Sequence, residues 1–269
     1  MTLADTRVGT AGWSIPRASA AAFPATGTTL ERYASIFNAV EVNSSFYRPH
    51  MRETWERWAA STPDGFRFAI KLPKAATHER RLVDCGAILD RFADETAGLG
   101  AKRGPALIQL PPSLTFSAEV AARFFAALRE RFDGPFALEP RHASWFERDA
   151  QSLVVEHEIA LVAADPPRVP GADRPGGWRG LSYWRLHGSP EIYRTPYGPE
   201  RRARIANALA TAPGVVWCVF DNTITGAAAA DALAVRALLR APASPAALPS
   251  GIPCPEQASA SPPPATPRA

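Results

Sequence analysis

Between residues 7 and 239 the chain repeats one alternation: a short apolar run, then a longer stretch that most often has helical periodicity. This alternation narrows the possible folds more than any other feature. The runs are RVGTAG (7–12), AVEVN (39–43), FRFAIK (66–71), ALIQL (106–110), FALE (136–139), IALVAAD (159–165), YWRLH (183–187) and VVWCVFD (215–221). Among the stretches between them, 30–37 sets Leu30, Tyr33, Ala34 and Phe37 on one helix face. Residues 80–100 carry Leu82, Cys85, Ile88, Leu89 and Phe92 at helical spacing, 117–132 opens on Ser117 as a cap, and 226–239 is an alanine-rich closing helix. Eight strands alternating with helices predict the α/β class and a TIM-type (β/α)8 barrel. The sixth crossover, PPRVPGADRPGGWRG (166–180), is too rich in Pro and Gly for a helix. It is expected to be an irregular loop long enough to lie over the barrel mouth.

Side chains in a strand alternate between faces. That rule puts Val40, Val42, Phe68, Ile70, Ile108, Leu138, Trp184 and Leu186 against the helices, and Ala39, Glu41, Asn43, Arg67, Ala69, Lys71, Leu107, Gln109, Ala137, Glu139, Tyr183, Arg185 and His187 inside. Arg141, Asp165 and Asp221 are expected inside as well. Barrel interiors are ordinarily filled by branched apolar layers. Here the last inward position of strand after strand is charged or carries an amide, and these positions converge where barrel enzymes keep their sites. The bland reading is an ion-pair layer, Glu139 with Arg185 and Lys71 with Glu41. An apolar layer would ordinarily be the cheaper filling, which favours a site over a purely structural ring.

Several motifs, GTAGWS (9–14), FNAVEVNSSFYRP (37–49), FRFAIKLPKAATHERRL (66–82), LIQLPPSL (107–114), EPRHASW (139–145), WRLHG (184–188) and FDNTITGAAAADAL (220–233), occur in this order. Together they resemble the YecE-like domain-of-unknown-function family, and the resemblance runs from about Val8 to Leu239. It implies a TIM-type barrel and no established reaction. The chain departs from the family pattern in a shortened loop after Trp13, and in FDNT where FNNT is expected. Asp221 therefore adds an acidic group.

Three chemistries are open to such a ring. In the first, one divalent metal ion, with Glu41, Glu139, Asp165, His187 and Asp221 as ligand types and Asp165 and Asp221 as its leading ligands, polarises a phosphoryl oxygen or activates water. No HxH or HExxH spacing supports a multi-metal site. In the second, metal-free acid/base catalysis, Glu139 and His187 are the leading pair, with Glu41 and His142 as further candidates. Lys71, Arg141 and Arg185 hold an anion, Asn43 and Gln109 add polar contacts, and Trp13, Phe46, Tyr47 and Trp145 offer ring faces for stacking. The expected enzyme is hydrolase-like and acts on a phosphate-bearing or carbohydrate-like substrate, such as a phosphodiester. In the third, the barrel binds a small anion or nucleic acid without catalysis. A formal charge of +4 is too small to argue for nucleic acid by itself. Arg201, Arg202 and Arg204 open a helix as a basic cluster that reads as a solvated face.

The barrel domain is expected over residues 1–240. Nine of the 27 prolines fall in residues 241–269, which have no periodic apolar face and are read as a disordered tail. Three dispersed cysteines form neither a disulfide framework nor a metal clip, and no signal peptide or membrane-spanning run is legible. The expected compartment is therefore the cytoplasm, with no membrane partner.

Overall fold

The computed structural model describes residues 6–241, so nearly all of the proline-rich segment expected to be disordered lies outside the described residues. The chain forms a mixed α/β fold with two mainly parallel sheets. Its elements begin β1 (Thr6–Thr10), α1 (Thr29–Ile36), β2 (Ala39–Val42), α2 (Ser44–Tyr47), α3 (Arg52–Ala60), β3 (Arg67–Lys71), α4 (Gly86–Thr96) and β4 (Arg103–Gln109). They continue α5 (Ala118–Arg129), β5 (Phe136–Glu139), α6 (Arg148–Glu156), β6 (Ile159–Leu161), β7 (Ala163–Asp165), β8 (Gly176–Gly177), β9 (Leu181–Leu186), α7 (Pro199–Thr211), β10 (Val215–Phe220) and α8 (Ala227–Arg240). One sheet runs β1-β10-β9-β7 and the other β2-β3-β4-β5-β6-β8. Two features join the sheets. Ala11 bridges to Glu41 beyond the end of β1, and only Val162 separates β6 from β7.

Local signals account for several boundaries. Thr28 and Glu31 form a reciprocal capping box at the start of α1, and Pro199 occupies the first turn of α7, where its missing N–H is not needed. Ser117 precedes α5 without making a side-chain cap bond. The helix expected from residue 80 begins only at Gly86, because Arg81, Leu82 and Asp84 take left-handed backbone angles (φ 51°, 72° and 50°). Leu82 and Cys85 are still buried, so the apolar spacing there reports packing of a turn, not a helix.

Two apolar cores separate cleanly. The larger contains Val40, Val42, Phe68, Ile70, Ile108, Leu138, Trp184 and Leu186, packed between strands and helices. The smaller contains Ala39, Ala69, Leu107, Ala137, Ala160, Val162, Leu181, Tyr183, Trp217 and Val219, enclosed by the strands. In it, alanines on β2, β3, β5 and β6 leave room for Tyr183 and Trp217, whose rings stack with centroids 6.0 Å apart. Gly104 is part of the same fit: a Cβ there would lie 2.7 Å from the Trp217 ring.

No helix lies between β7 and β9, as expected for the sixth crossover. Part of that loop is at the opposite end from the one anticipated. Gly176 and Gly177 pair antiparallel with Leu161 and Ala160, and the Trp178 N–H donates to Ile159 O at the start of β6. Among the described residues no helix is long and apolar enough to cross a membrane.

Candidate functional site

Many residues of the small core are followed, two positions on, by a polar one. Ala39 leads to Glu41, Ala69 to Lys71, Leu107 to Gln109, Ala137 to Glu139, Tyr183 to Arg185, and Val219 to Asp221. The apolar plug therefore ends in a polar layer at the C-terminal ends of the strands.

Arg185 is the centre of this layer and is 1% exposed. Its Nε and Nη2 donate to Glu41, its Nη1 to Glu139 Oε2 at 2.6 Å, and its Nη2 also to Asp221 Oδ2 at 2.9 Å. The Tyr183 hydroxyl donates to Glu41 Oε2 at 2.8 Å, so Glu41, Tyr183 and Arg185 form a closed floor. Arg141 Nε and Nη2 both donate to Glu139 Oε1. The ion pair between Glu139 and Arg185 exists; Lys71 and Glu41 do not pair among the described residues.

His187 stands between two carboxylates. Nδ1 is 3.0 Å from Asp221 Oδ2 and Nε2 is 3.7 Å from Glu139 Oε1, too far for a hydrogen bond. Nε2 is buried without a hydrogen-bond partner, as is Asn43 Oδ1. Gln109 is buried in the same layer, and Lys71 Nζ lies 4.3 Å from the centre of the Phe46 ring.

Burial works against ionising Glu139, but the Arg185 guanidinium, His187 and Arg141 outweigh it and hold the carboxyl well below the usual range. Asp221 is lowered in the same way by Arg185 and His187 against its own burial. Burial disfavours the His187 cation, yet the bond to Asp221 and the nearby Glu139 carboxylate prevail and raise its pKa. Lys71 goes the other way: burial and then repulsion from Arg185 bring it down to about 8, against the pull of Glu41, Glu139 and Asp221. The cluster therefore holds an imidazole whose protonated form is favoured and an amine less basic than an ordinary lysine.

This changes several expected roles. Glu139 accepts three guanidinium N–H bonds, so it is an ionised counter-charge and a poor base. Arg185 is used up by the three carboxylates and does not hold an external anion. His142 bonds its Nδ1 to Ser144, capping the turn Ala143–Phe146. Trp145 is 1% exposed, packs against Phe116 and donates Nε1–H to Leu114 O, so it belongs to the outer core. Tyr47 is 78% exposed and meets the Phe46 ring edge-on. Trp13 meets Trp58 edge-on and lines a cavity of about 370 Å³ with Asn43 and Ser44.

Asp165 and Asp221 cannot share an ion. Asp165 is in register with helix-facing Leu186 and pairs with Arg201 of α7, whereas Asp221 faces Arg185. On β7 the residue in register with inward-facing Arg185 is Ala164, and Ala160 and Val162 before it face the same way. Among the described residues no group of three or more His, Cys, Asp or Glu side chains is arranged to hold a metal. Arg202 pairs with the buried Asp231, so two of the three arginines opening α7 serve internal acids instead of forming a solvated face.

Three contributors were not among the candidate site residues. Tyr183 bonds Glu41, as described. His78, in the turn after β3, meets the Phe46 ring edge-on, and burial followed by Lys71 and Arg141 lowers its pKa. Tyr193 stands edge-on over His187, at φ 68°. Inward parity was the signal for Tyr183; the other two lie on turns, where no periodicity operates.

The profile of a family described as "Protein of unknown function DUF72" matches residues 7–255. The UPF0759 protein YecE of Escherichia coli (strain K12) is 31% identical over 135 residues, covering 49% of this chain and 48% of that protein. The UPF0759 protein YunF of Bacillus subtilis (strain 168) is 28% identical over 145 residues, covering 52% and 51%. The chain spans about half the length of the curated relatives it matches. A solved DUF72 family protein from Enterococcus faecalis V583 superposes with TM-score 0.73 at 22% identity, over 89% of this chain and 97% of that one. Another from Thermotoga maritima MSB8 gives 0.71 at 24%, over 87% and 98%. At these identities the likeness establishes the fold.

Proposed function

The chain belongs to the DUF72 family of proteins of unknown function, and from that premise we propose that it is a closed (β/α)8-type barrel enzyme working by metal-free acid/base catalysis. Support for closure comes from the Ala11–Glu41 bridge on one side and the single residue between β6 and β7 on the other. The substrate class is small, anionic and phosphate-bearing or carbohydrate-like, and the reaction is hydrolysis, with a phosphate ester or phosphodiester as the leading type. The observation that carries this reading is His187, whose Nδ1 is fixed by Asp221 while its buried Nε2 has no partner.

In this reading His187 protonates the leaving oxygen and Arg141 holds the anion with its remaining N–H groups. Lys71, close to half-neutral near pH 8, is the group able to take a proton from water. Glu41, Glu139 and Asp221 keep Arg185 and His187 charged and in place. The cytoplasm is the proposed compartment, in keeping with Cys85 and Cys218, which are buried and unpaired.

Hydrolysis of 4-nitrophenyl phosphate, bis(4-nitrophenyl) phosphate and 4-nitrophenyl glycosides tests the proposal, with His187→Gln as the diagnostic variant. Loss of general acid catalysis is expected to lower kcat roughly 100- to 10,000-fold. Undiminished turnover in a folded His187→Gln protein would remove the acid role. Absence of turnover by the wild type, together with no binding of inorganic phosphate, would remove the hydrolytic reading.

A further inference from the structure

Of the 30 Lys and Arg residues only Lys71, Lys74 and Lys102 are lysines. Lys102 Nζ donates to Ala59 O at 2.7 Å and to Thr62, tying down the end of α3. Lys74 pairs with Glu79 at 3.4 Å on the surface. Lys71 has no such role. It is 7% exposed and forms no hydrogen bond or ion pair among the described residues, although three carboxylates share its surroundings. Those carboxylates are turned toward Arg185, Arg141, Tyr183 and His187.

One contact holds the Lys71 backbone and another its side chain. Ser45 Oγ donates to the Lys71 carbonyl at 2.7 Å, and the Phe46 ring covers the ammonium. The charged and titratable groups acting on Lys71 are Arg185, Glu41, Glu139 and Asp221 from the strands, and His78 from the turn after β3. The other side of Phe46 borders a cavity of about 500 Å³, lined by Tyr47, Pro73, Lys74 and Arg91 and not by Lys71. A buried ammonium beside another cation, with no carboxylate bonded to it, favours its neutral form, and the neutral amine is the nucleophilic one.

We infer that Lys71 is a nucleophile that forms an imine with a small aldehyde or ketone carrying a phosphate or carboxylate group. The inference rests on the proposed function in one respect, the anion held at Arg141, and goes beyond hydrolysis in its chemistry. The Lys71 Nζ lone pair attacks the carbonyl carbon while the C=O π pair moves to oxygen, which takes the proton from His187 Nε2. The nitrogen then returns a proton to the imidazole, giving a neutral carbinolamine. His187 protonates the hydroxyl, the C–O bond breaks, and water leaves as the nitrogen lone pair forms C=N. One carbonyl and one amine become one imine and one water, with no oxidant or reductant required. The protonated imine is an electron sink that weakens bonds to the adjacent carbon.

The experiment is reductive trapping on the full chain. Protein is incubated at pH 7 with dihydroxyacetone phosphate or pyruvate and sodium cyanoborohydride, with acetone as the uncharged control, and the adducts are located by peptide mass mapping. At that pH a pKa of about 8 leaves more than a hundredfold more free amine than the ordinary lysine value of about 10.4. Lys71 is therefore expected to label at least about tenfold faster than Lys74, with the anionic probes favoured over acetone. Labelling confined to Lys74, Lys102 or the N-terminus would overturn the inference. The site of labelling is read on the wild type, so the test holds even where a Lys71→Arg control fails to fold. Phosphate-ester hydrolysis measured on the same preparation separates the two readings. Turnover with Lys71 unlabelled overturns the imine alone, and a Lys71 adduct without turnover overturns hydrolysis alone.

Discussion

His187 Nδ1 lies 3.0 Å from Asp221 Oδ2, and this one bond both orients the imidazole and leaves Nε2 as its free end. Because His187 titrates at a raised pKa, its stabilising contribution is fully present below its unfolded value of about 6.5 and is lost as pH rises through the folded value. Asp221 and Glu139 act at the other end. Their lowered values give stability above about pH 4 that is lost as pH falls through the folded values. Urea midpoints measured from pH 3 to pH 9 are expected to fall at both ends, and Asp221→Asn is expected to flatten the alkaline fall. An unchanged alkaline limb in that variant would disconnect the pair from stability.

Arg185 is the second test. Replacing it with Met strands Glu41, Glu139 and Asp221 as buried carboxylates, and the expected loss is about 3–5 kcal/mol in urea unfolding. Arg185→Lys is expected to recover little, since a single ammonium cannot reproduce the fork that reaches three carboxylates.

Lys71 is expected to be a destabilising residue at neutral pH. Its value falls from the ordinary 10.5 to about 8, so between those two pH values the folded state binds fewer protons at this residue and the Lys71 contribution to stability rises with pH, opposite in sign to that of His187. Below pH 8 the buried cation opposes folding. Lys71→Met should therefore raise stability at pH 7 by about 1–3 kcal/mol, with the advantage shrinking toward pH 10. Thermal unfolding at the two pH values measures this, and a variant less stable than wild type at pH 7 would contradict it.

Two of the aromatic residues expected to face a ligand, Trp145 and Tyr47, should separate from the catalytic set. Trp145→Phe removes the Nε1–H bond to Leu114 O and is expected to cost about 1–3 kcal/mol without changing phosphate-ester turnover. Tyr47→Ala, at a side chain that is mostly exposed, should change stability by less than about 0.5 kcal/mol.

The alternation of side chains was a reliable guide wherever one strand face was polar at its end. Ala39 with Glu41, Ala137 with Glu139 and Tyr183 with Arg185 lie on the inner face, as their spacing required. It failed for Asp165, where Ile159, Leu161 and Ala163 alternate with Ala160, Val162 and Ala164, and both sets are apolar. Nothing local then tells the inner face from the outer. Trp145 was illegible for another reason, since its burial depends on Phe116 and Phe125 from other parts of the chain. Charge type was visible in the sequence but charge allegiance was not: that Arg185 would satisfy three carboxylates, leaving Lys71 bonded to none, is decided by distances across the sheets.

The proposed chemistry depends above all on His187 being held protonated between Asp221 and Glu139 and facing an anionic ligand. An NMR titration of the His187 ring, with and without inorganic phosphate, tests this most directly. The expected result is an apparent pKa above 6.5 that rises further when phosphate is bound. A value below 6.5 that phosphate leaves unmoved would contradict it.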